Sequence, residues 1–150
     1  MIKKIIFFLL ILSLTSCGYQ PIYTKKNYDA LVIKEYQLAG DKIINRKIVS
    51  LLNLRKNIQL ESSYILSLDS VKKLETVAKD KTGKASVFKT SITVSIKINE
   101  NKTLIKEKIF NKTYTYNNTK NKFDLMQYQK DIENNILDKI SEEIIIFLNT

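Results

Sequence analysis

Histidine is missing from this chain altogether, and so is tryptophan. Without histidine no Ser-His-Asp or Cys-His pair can form, so nucleophilic catalysis loses its commonest general base. The single cysteine, Cys17, rules out an internal disulfide. With no histidine beside it, metal sites of the Cys/His type are ruled out too. The three glycines, Gly18, Gly40 and Gly83, lie too far apart to make a phosphate-cradling loop. The carboxylates are scattered. Asp131 and Glu133 sit on a helix surface, and Glu142 and Glu143 are adjacent but point apart. Spacing alone leaves paired-carboxylate catalysis open, but no constellation argues for it. We expect no enzyme, no cofactor and no metal.

Long apolar runs are also scarce. The N-terminus opens with Lys3-Lys4 and then runs from Ile5 to Leu12, with Ser13 and Leu14 closing it. That is short of the roughly 20 apolar residues a transmembrane helix needs. It suits the apolar region of a secretion signal. Leu14-Thr15-Ser16-Cys17 follows and resembles the lipobox of bacterial lipoproteins: an aliphatic residue, two small residues, then cysteine. The thiol takes the lipid as a thioether. We expect residues 1–16 to be a lipoprotein signal peptide and the mature chain to begin at lipid-modified Cys17. Two or more acyl chains make membrane attachment stable, so the chain should sit on a membrane without crossing it. Gly18 stands where an aspartate retains enteric lipoproteins in the inner membrane, which points to the outer membrane.

The mature chain would have 134 residues (150 minus 16), enough for one domain with a real core. Net charge is +10, and removing Lys3 and Lys4 leaves +8. A basic balance suggests an anionic partner: nucleic acid, a phosphate-bearing lipid or a membrane surface. The signal peptide puts nucleic acid out of reach. A solvated lysine surface competes with this reading. Only Arg46 and Arg55 break the run of lysines, and richness in Lys, Ile and Asn is the pattern of an AT-rich genome.

Residues 17–29 read as a lipidated tether holding the only proline, Pro21. Residues 30–150 read as a single domain. A β-branched run over 30–36 predicts a strand. Asp41 is a helix N-cap candidate, and Ile44, Ile48, Leu51 and Leu52 predict an amphipathic helix over 41–56. Strands follow at about 63–78, 85–98 and 103–117. The second of these alternates Phe88, Ile92, Val94, Ile96 and Ile98 against Lys89, Ser91, Thr93, Ser95 and Lys97, so it has one wet face. An apparent change of face between Ile109 and Phe110 predicts a bulge. A stripe of Leu125, Tyr128, Ile132, Ile136, Ile140, Ile144 and Phe147 predicts a last helix over 123–148. The fold class is α+β in the order β-α-β-β-β-α, with two helices on one face of a four-stranded sheet.

Cys17-Gly18-Tyr19-Gln20-Pro21-Ile22-Tyr23 resembles the start of mature LPS-assembly lipoproteins, LptE, of the α-proteobacterial type. Ala85-Ser86-Val87-Phe88-Lys89 is similar to a family stretch in which small, aliphatic and aromatic residues precede a basic one. Asp124-Leu125-Met126 and Gln129-Lys130-Asp131-Ile132 resemble the family's final helix. The likeness implies two helices on a four-stranded sheet. It also implies a plug inside the LptD outer-membrane β-barrel, assisting insertion of lipopolysaccharide into the outer leaflet.

Lipid A carries phosphates, and lysine binds phosphate as a point charge. Lys89, at the family-like basic position, is the first candidate contact. Lys120 and Lys122 lie where family members also carry a basic residue. Lys81 and Lys84, in the turn before the second long strand, follow. The polar strand face and Tyr114/Tyr116 are candidates for the barrel wall, with core or rim as the other reading. The rival assignments are an auxiliary periplasmic lipoprotein of a lipid-trafficking ABC transporter and a structural lipoprotein without a ligand.

Overall fold

The computed structural model describes residues 33–53 and 64–149. The signal segment, the tether and Cys17 lie outside these. The element order is β1 (Ile33–Gly40), α1 (Lys42–Leu52), β2 (Tyr64–Lys79), β3 (Ala85–Glu100), β4 (Thr103–Asn117) and α2 (Lys122–Asn149). This is the expected α+β order. The sheet runs β1-β2-β3-β4. β1 is parallel to β2, and the other two pairs are antiparallel. A parallel pair needs a crossover, and α1 supplies it.

β3 is the spine. Its even-numbered residues from Thr90 to Ile98 are buried, with Ile92, Val94 and Ile96 fully so. Each such side chain contributes about 1.5–3 kcal/mol on leaving water. The register sets Leu66 and Leu68 of β2 beside Ile98 and Ile96. It sets Phe110 of β4 beside Val94. Over this face lie Ile44, Ile48 and Leu52 of α1 and Ile132, Ile136, Leu137, Ile140 and Ile144 of α2. The predicted stripe of α2 is therefore core through its middle. At its start Tyr128 is 42% exposed, on the rim.

Two boundaries and one bulge differ from expectation. β1 starts at Ile33 and runs on to Gly40, past the expected end at 36, because Tyr36, Leu38 and Gly40 keep pairing with Leu66, Leu68 and Ser70. Residues 30–32 lie outside the described ones. α1 stops at Leu52, where Asn53 turns left-handed (φ 46°). Residues 54–56 lie outside the described ones. The bulge expected between Ile109 and Phe110 is absent, since Ser95↔Ile109 and Val94↔Phe110 pair without a shift. The irregularity sits nearer the turn, where Asn99 pairs with Leu104 and Ile98 with Lys106. Hydrophobicity misled the reading here. Ile109 faces the open side, 64% exposed, while Lys106, Lys108 and Lys112 share the helix side with Phe110.

The junction between β1 and α1 is tight. Gly40 has φ 77°, and a Cβ there would stand 2.1 Å from the Ser70 carbonyl oxygen. The Asp41 N–H donates to that oxygen at 2.8 Å. The Ser70 hydroxyl donates to the Asp41 carbonyl at 3.1 Å. Asp41 Oδ1 accepts from the amides of Ile43 and Ile44, capping α1. Gly40→Ala is expected to lose about 2–4 kcal/mol, from strain and the clash together. Asp41→Ala should lose about 1 kcal/mol. Urea midpoints measured side by side check both the values and their order.

Candidate functional site

The β2–β3 turn and the β4–α2 loop meet at one end of the sheet. The turn is built on Asp80. Its Oδ1 accepts from the Thr82 hydroxyl at 2.7 Å, the Thr82 amide at 2.8 Å and the Lys84 amide at 3.0 Å. The Thr82 hydroxyl does most to hold this carboxyl below its usual range, with the two amides adding to it. Gly83, at φ 81°, closes the turn. The carboxylate of this loop is thus spent internally, and Lys81 and Lys84 stand exposed around it.

Asn118 ties the second loop to the first. Its amide donates to the Ser86 carbonyl at 2.8 Å, and its side chain donates to the Ala85 carbonyl at 2.7 Å. Three residues further on, Asn121 Oδ1 accepts from the Phe123 amide at 3.0 Å and caps α2. Lys120 and Lys122 flank that cap and are exposed. Lysine at a helix N-terminus opposes the helix dipole, whose positive end prefers anions. Asp124 is the only acid in the first turn. The start of α2, capped by Asn121 and with Asp124 in its first turn, thus lies at the same end as two exposed lysines.

Four of the predicted lysines, Lys81, Lys84, Lys120 and Lys122, are brought to this one end. Lys89 is not one of the group. It lies on the open face of the sheet, 2.7 Å from Glu75 on the neighbouring strand. The hydrogen bond from Lys89, with its charge and that of Lys73, holds the Glu75 carboxyl below its usual range. Lys89 thus has a partner already.

Tyr116 is core, 4% exposed, with Phe88 and Tyr128 rings against it at 5.8 and 5.7 Å. Tyr114 is rim, 47% exposed. Its hydroxyl holds the Tyr128 phenol above its usual pKa by hydrogen bonding. Both tyrosines lie on the helix side of β4, so neither is on the polar face.

Sequence reasoning missed the apolar residues at this end. Phe123 is 74% and Met126 68% exposed, beside Lys120 and Lys122. Both fall outside the apolar stripe of α2, which was the available signal. Other lysines serve structure. Lys112 meets Glu143 of α2. Lys106 donates to the Phe147 carbonyl at 3.4 Å near the end of α2. Lys108 lies 5.1 Å from the Phe110 ring and 5.6 Å from that of Phe147. Among the described residues no cluster of three metal-ligating side chains forms, and no helix is long and apolar enough to cross a membrane.

Lys89→Gln should return the Glu75 carboxyl toward its ordinary pKa in an NMR titration. Because that pKa is lowered on folding, the pair's stabilisation is full above the ordinary carboxylate range. It is lost as pH falls below that range, through the folded value. An unmoved titration in the variant would remove the pair from the account.

No protein-family model matches the chain, and no curated protein is similar to it in sequence. Solved structures are similar in fold. Rare lipoprotein B from Shewanella oneidensis superposes with TM-score 0.58 at 11% identity, over 76% of this chain and 92% of that one. A putative lipoprotein from Caulobacter crescentus gives 0.54 at 14%, over 76% and 87%. An uncharacterized lipoprotein B from Nitrosomonas europaea gives 0.61 at 8%, over 87% and 91%. The fold of this chain is one seen in bacterial lipoproteins.

Proposed function

We propose that this chain is an outer-membrane lipoprotein that pairs with an LptD-like β-barrel as a plug and assists insertion of lipopolysaccharide into the outer leaflet. Cys17 carries the lipid anchor on the periplasmic side. No bond is made or broken by the chain itself. The lysine end engages the lipid A phosphates.

One observation carries the reading. Lys81, Lys84, Lys120 and Lys122 converge on one exposed end and form no ion pair among the described residues, while the lysines of β4 at the helix face are tied to α2. Asp80, Asn118 and Asn121 hold the backbone of the two loops that carry these lysines. The fold shared with lipoproteins of three bacteria supports the envelope setting. The lipobox at Leu14–Cys17 and the LptE-like start of the mature chain support the rest. Among the predicted contacts, Lys89 ranks behind these four because Glu75 competes for it.

The test is binding of purified lipopolysaccharide to the full-length protein in detergent. Charge reversal of the four lysines to glutamate should weaken binding by about a hundredfold or more, as the loss of several charge-assisted contacts requires. Lys120→Glu alone should also weaken it, while Lys102→Glu, the same change of charge in the turn at the opposite end of the sheet, should leave it unchanged. Equal losses in both would reduce the effect to net charge and remove the site.

A further inference from the structure

Two large apolar side chains at the start of α2 belong to no part of the core. Phe123 is 74% and Met126 68% exposed. They stand three residues apart and so share one side of the helix. Leu125, Ile132, Ile136 and Ile140 turn to the sheet instead. At that exposure both side chains protrude. They do not line a pocket that could enclose one molecule.

Lysines surround the pair. Lys120 and Lys122 precede Phe123 in the chain, and Lys130 lies one turn beyond Met126. Lys81 and Lys84 stand in the turn that Asn118 ties to this loop. All five are exposed, and no ion pair reaches any of them among the described residues. The acids nearby do not cancel them. Asp80 is turned into its own loop. Asp131 accepts from Gln127, and Asp124 is the one acid in the first turn of α2.

This combination selects its occupant. Surfaces that meet a folded protein are depleted in lysine. A second copy set symmetrically on the pair would bring the same lysines together, and like charges at close range repel. A free phosphate would use the cations and leave Phe123 and Met126 in water. An assembled lipid surface uses both. Apolar side chains enter the boundary between headgroups and acyl chains. Lysines around them lay their stems along the apolar layer and meet the headgroup phosphates, each adding attraction to an anionic surface.

We infer that this end of the sheet docks on an anionic lipid surface, with Phe123 and Met126 entering the acyl boundary and Lys81, Lys84, Lys120 and Lys122 holding the phosphates around them. The inference rests on the reading of these lysines as phosphate ligands and adds the apolar contact to it. The docking point lies apart from the expected anchor. Ile33, the first described residue after the tether, pairs with Tyr64, and Tyr64 pairs with Glu100 beside the β3–β4 turn. That is the opposite end of the sheet. At about 3.3 Å per residue, the 16 residues of β2 put roughly 50 Å between the two ends. The chain thus meets lipid at two separate points.

The chain has no tryptophan, so Phe123→Trp puts a single indole fluorophore at this end. The full-length variant is reconstituted into vesicles of phosphatidylcholine and phosphatidylglycerol whose acyl chains carry bromine, a contact quencher. All vesicles share that composition, so the end meets the same lipid whether it turns to its own bilayer or to a neighbouring one. Emission should move to shorter wavelength and fall about twofold or more against unbrominated vesicles, as entry into the acyl boundary requires. Ile109→Trp, at a position 64% exposed on the open face of the sheet, should show neither change. Adding Lys120→Glu and Lys122→Glu to Phe123→Trp, or using brominated phosphatidylcholine alone, should restore the emission. No quenching at position 123 overturns the inference even where lysine-dependent binding of lipopolysaccharide holds, so the two readings fail separately. Equal quenching at position 109 overturns it in favour of a sheet lying flat on the bilayer. Quenching that survives the charge reversal, or that is equal in neutral vesicles, overturns the joint action of lysines and apolar pair.

Discussion

The approach of Gly40 to the Ser70 carbonyl decides the shape of the whole domain. It sets where β1 ends, since no side chain fits between the two backbones. It sets where α1 begins, since the next residue, Asp41, is both bonded to Ser70 and capping the helix. Beyond Ser70, β2 has β3 on one side and no strand on the other among the described residues. A longer β1 would cover that edge and carry α1 further along the sheet. The short β1 instead leaves an extended β2–β3 hairpin, braced by β4 and α2, that projects past the α1 half of the core.

That projection is where charge is sorted. Toward the opposite end, lysines of β4 are employed by α2, through Glu143, the Phe147 carbonyl and the rings of Phe110 and Phe147. At the projecting end Asp80 and Glu75 are engaged locally, while Lys81, Lys84, Lys120 and Lys122 form no ion pair among the described residues. Asp80 turns inward to its own loop, and Glu75 turns to Lys89. Exposed ion pairs of this kind add little to stability. Their larger effect is on which lysines remain available to an anion. The bland explanation of the composition, lysine as solvated surface, therefore describes some of these residues and not others.

Period-two alternation made β3 legible, because a strand with one buried face declares itself residue by residue. The 3.6-residue stripe did the same for α2. The strand order was not legible, since it depends on the parallel pairing of β1 with β2, a contact between segments separated by α1. β4 was misread for a physical reason. Its helix side carries Lys106, Lys108 and Lys112, whose stems lie over aromatic rings while Ile109 faces out. Hydrophobicity then no longer reports the face. Of the predicted lysines, four were recognisable from their place in two turns. That the turns meet was not, because Asn118 bridges them through backbone carbonyls that no motif announces. Lys89 was singled out by resemblance, and only the pairing of β2 with β3 reveals Glu75 beside it.

The measurement that bears most directly on the account is affinity purification of the tagged, full-length protein from detergent-solubilised envelopes, with partners and their stoichiometry determined by mass spectrometry. The account predicts a large outer-membrane β-barrel protein in equal amount. Recovery of inner-membrane transporter subunits alone, or of no partner, would contradict it.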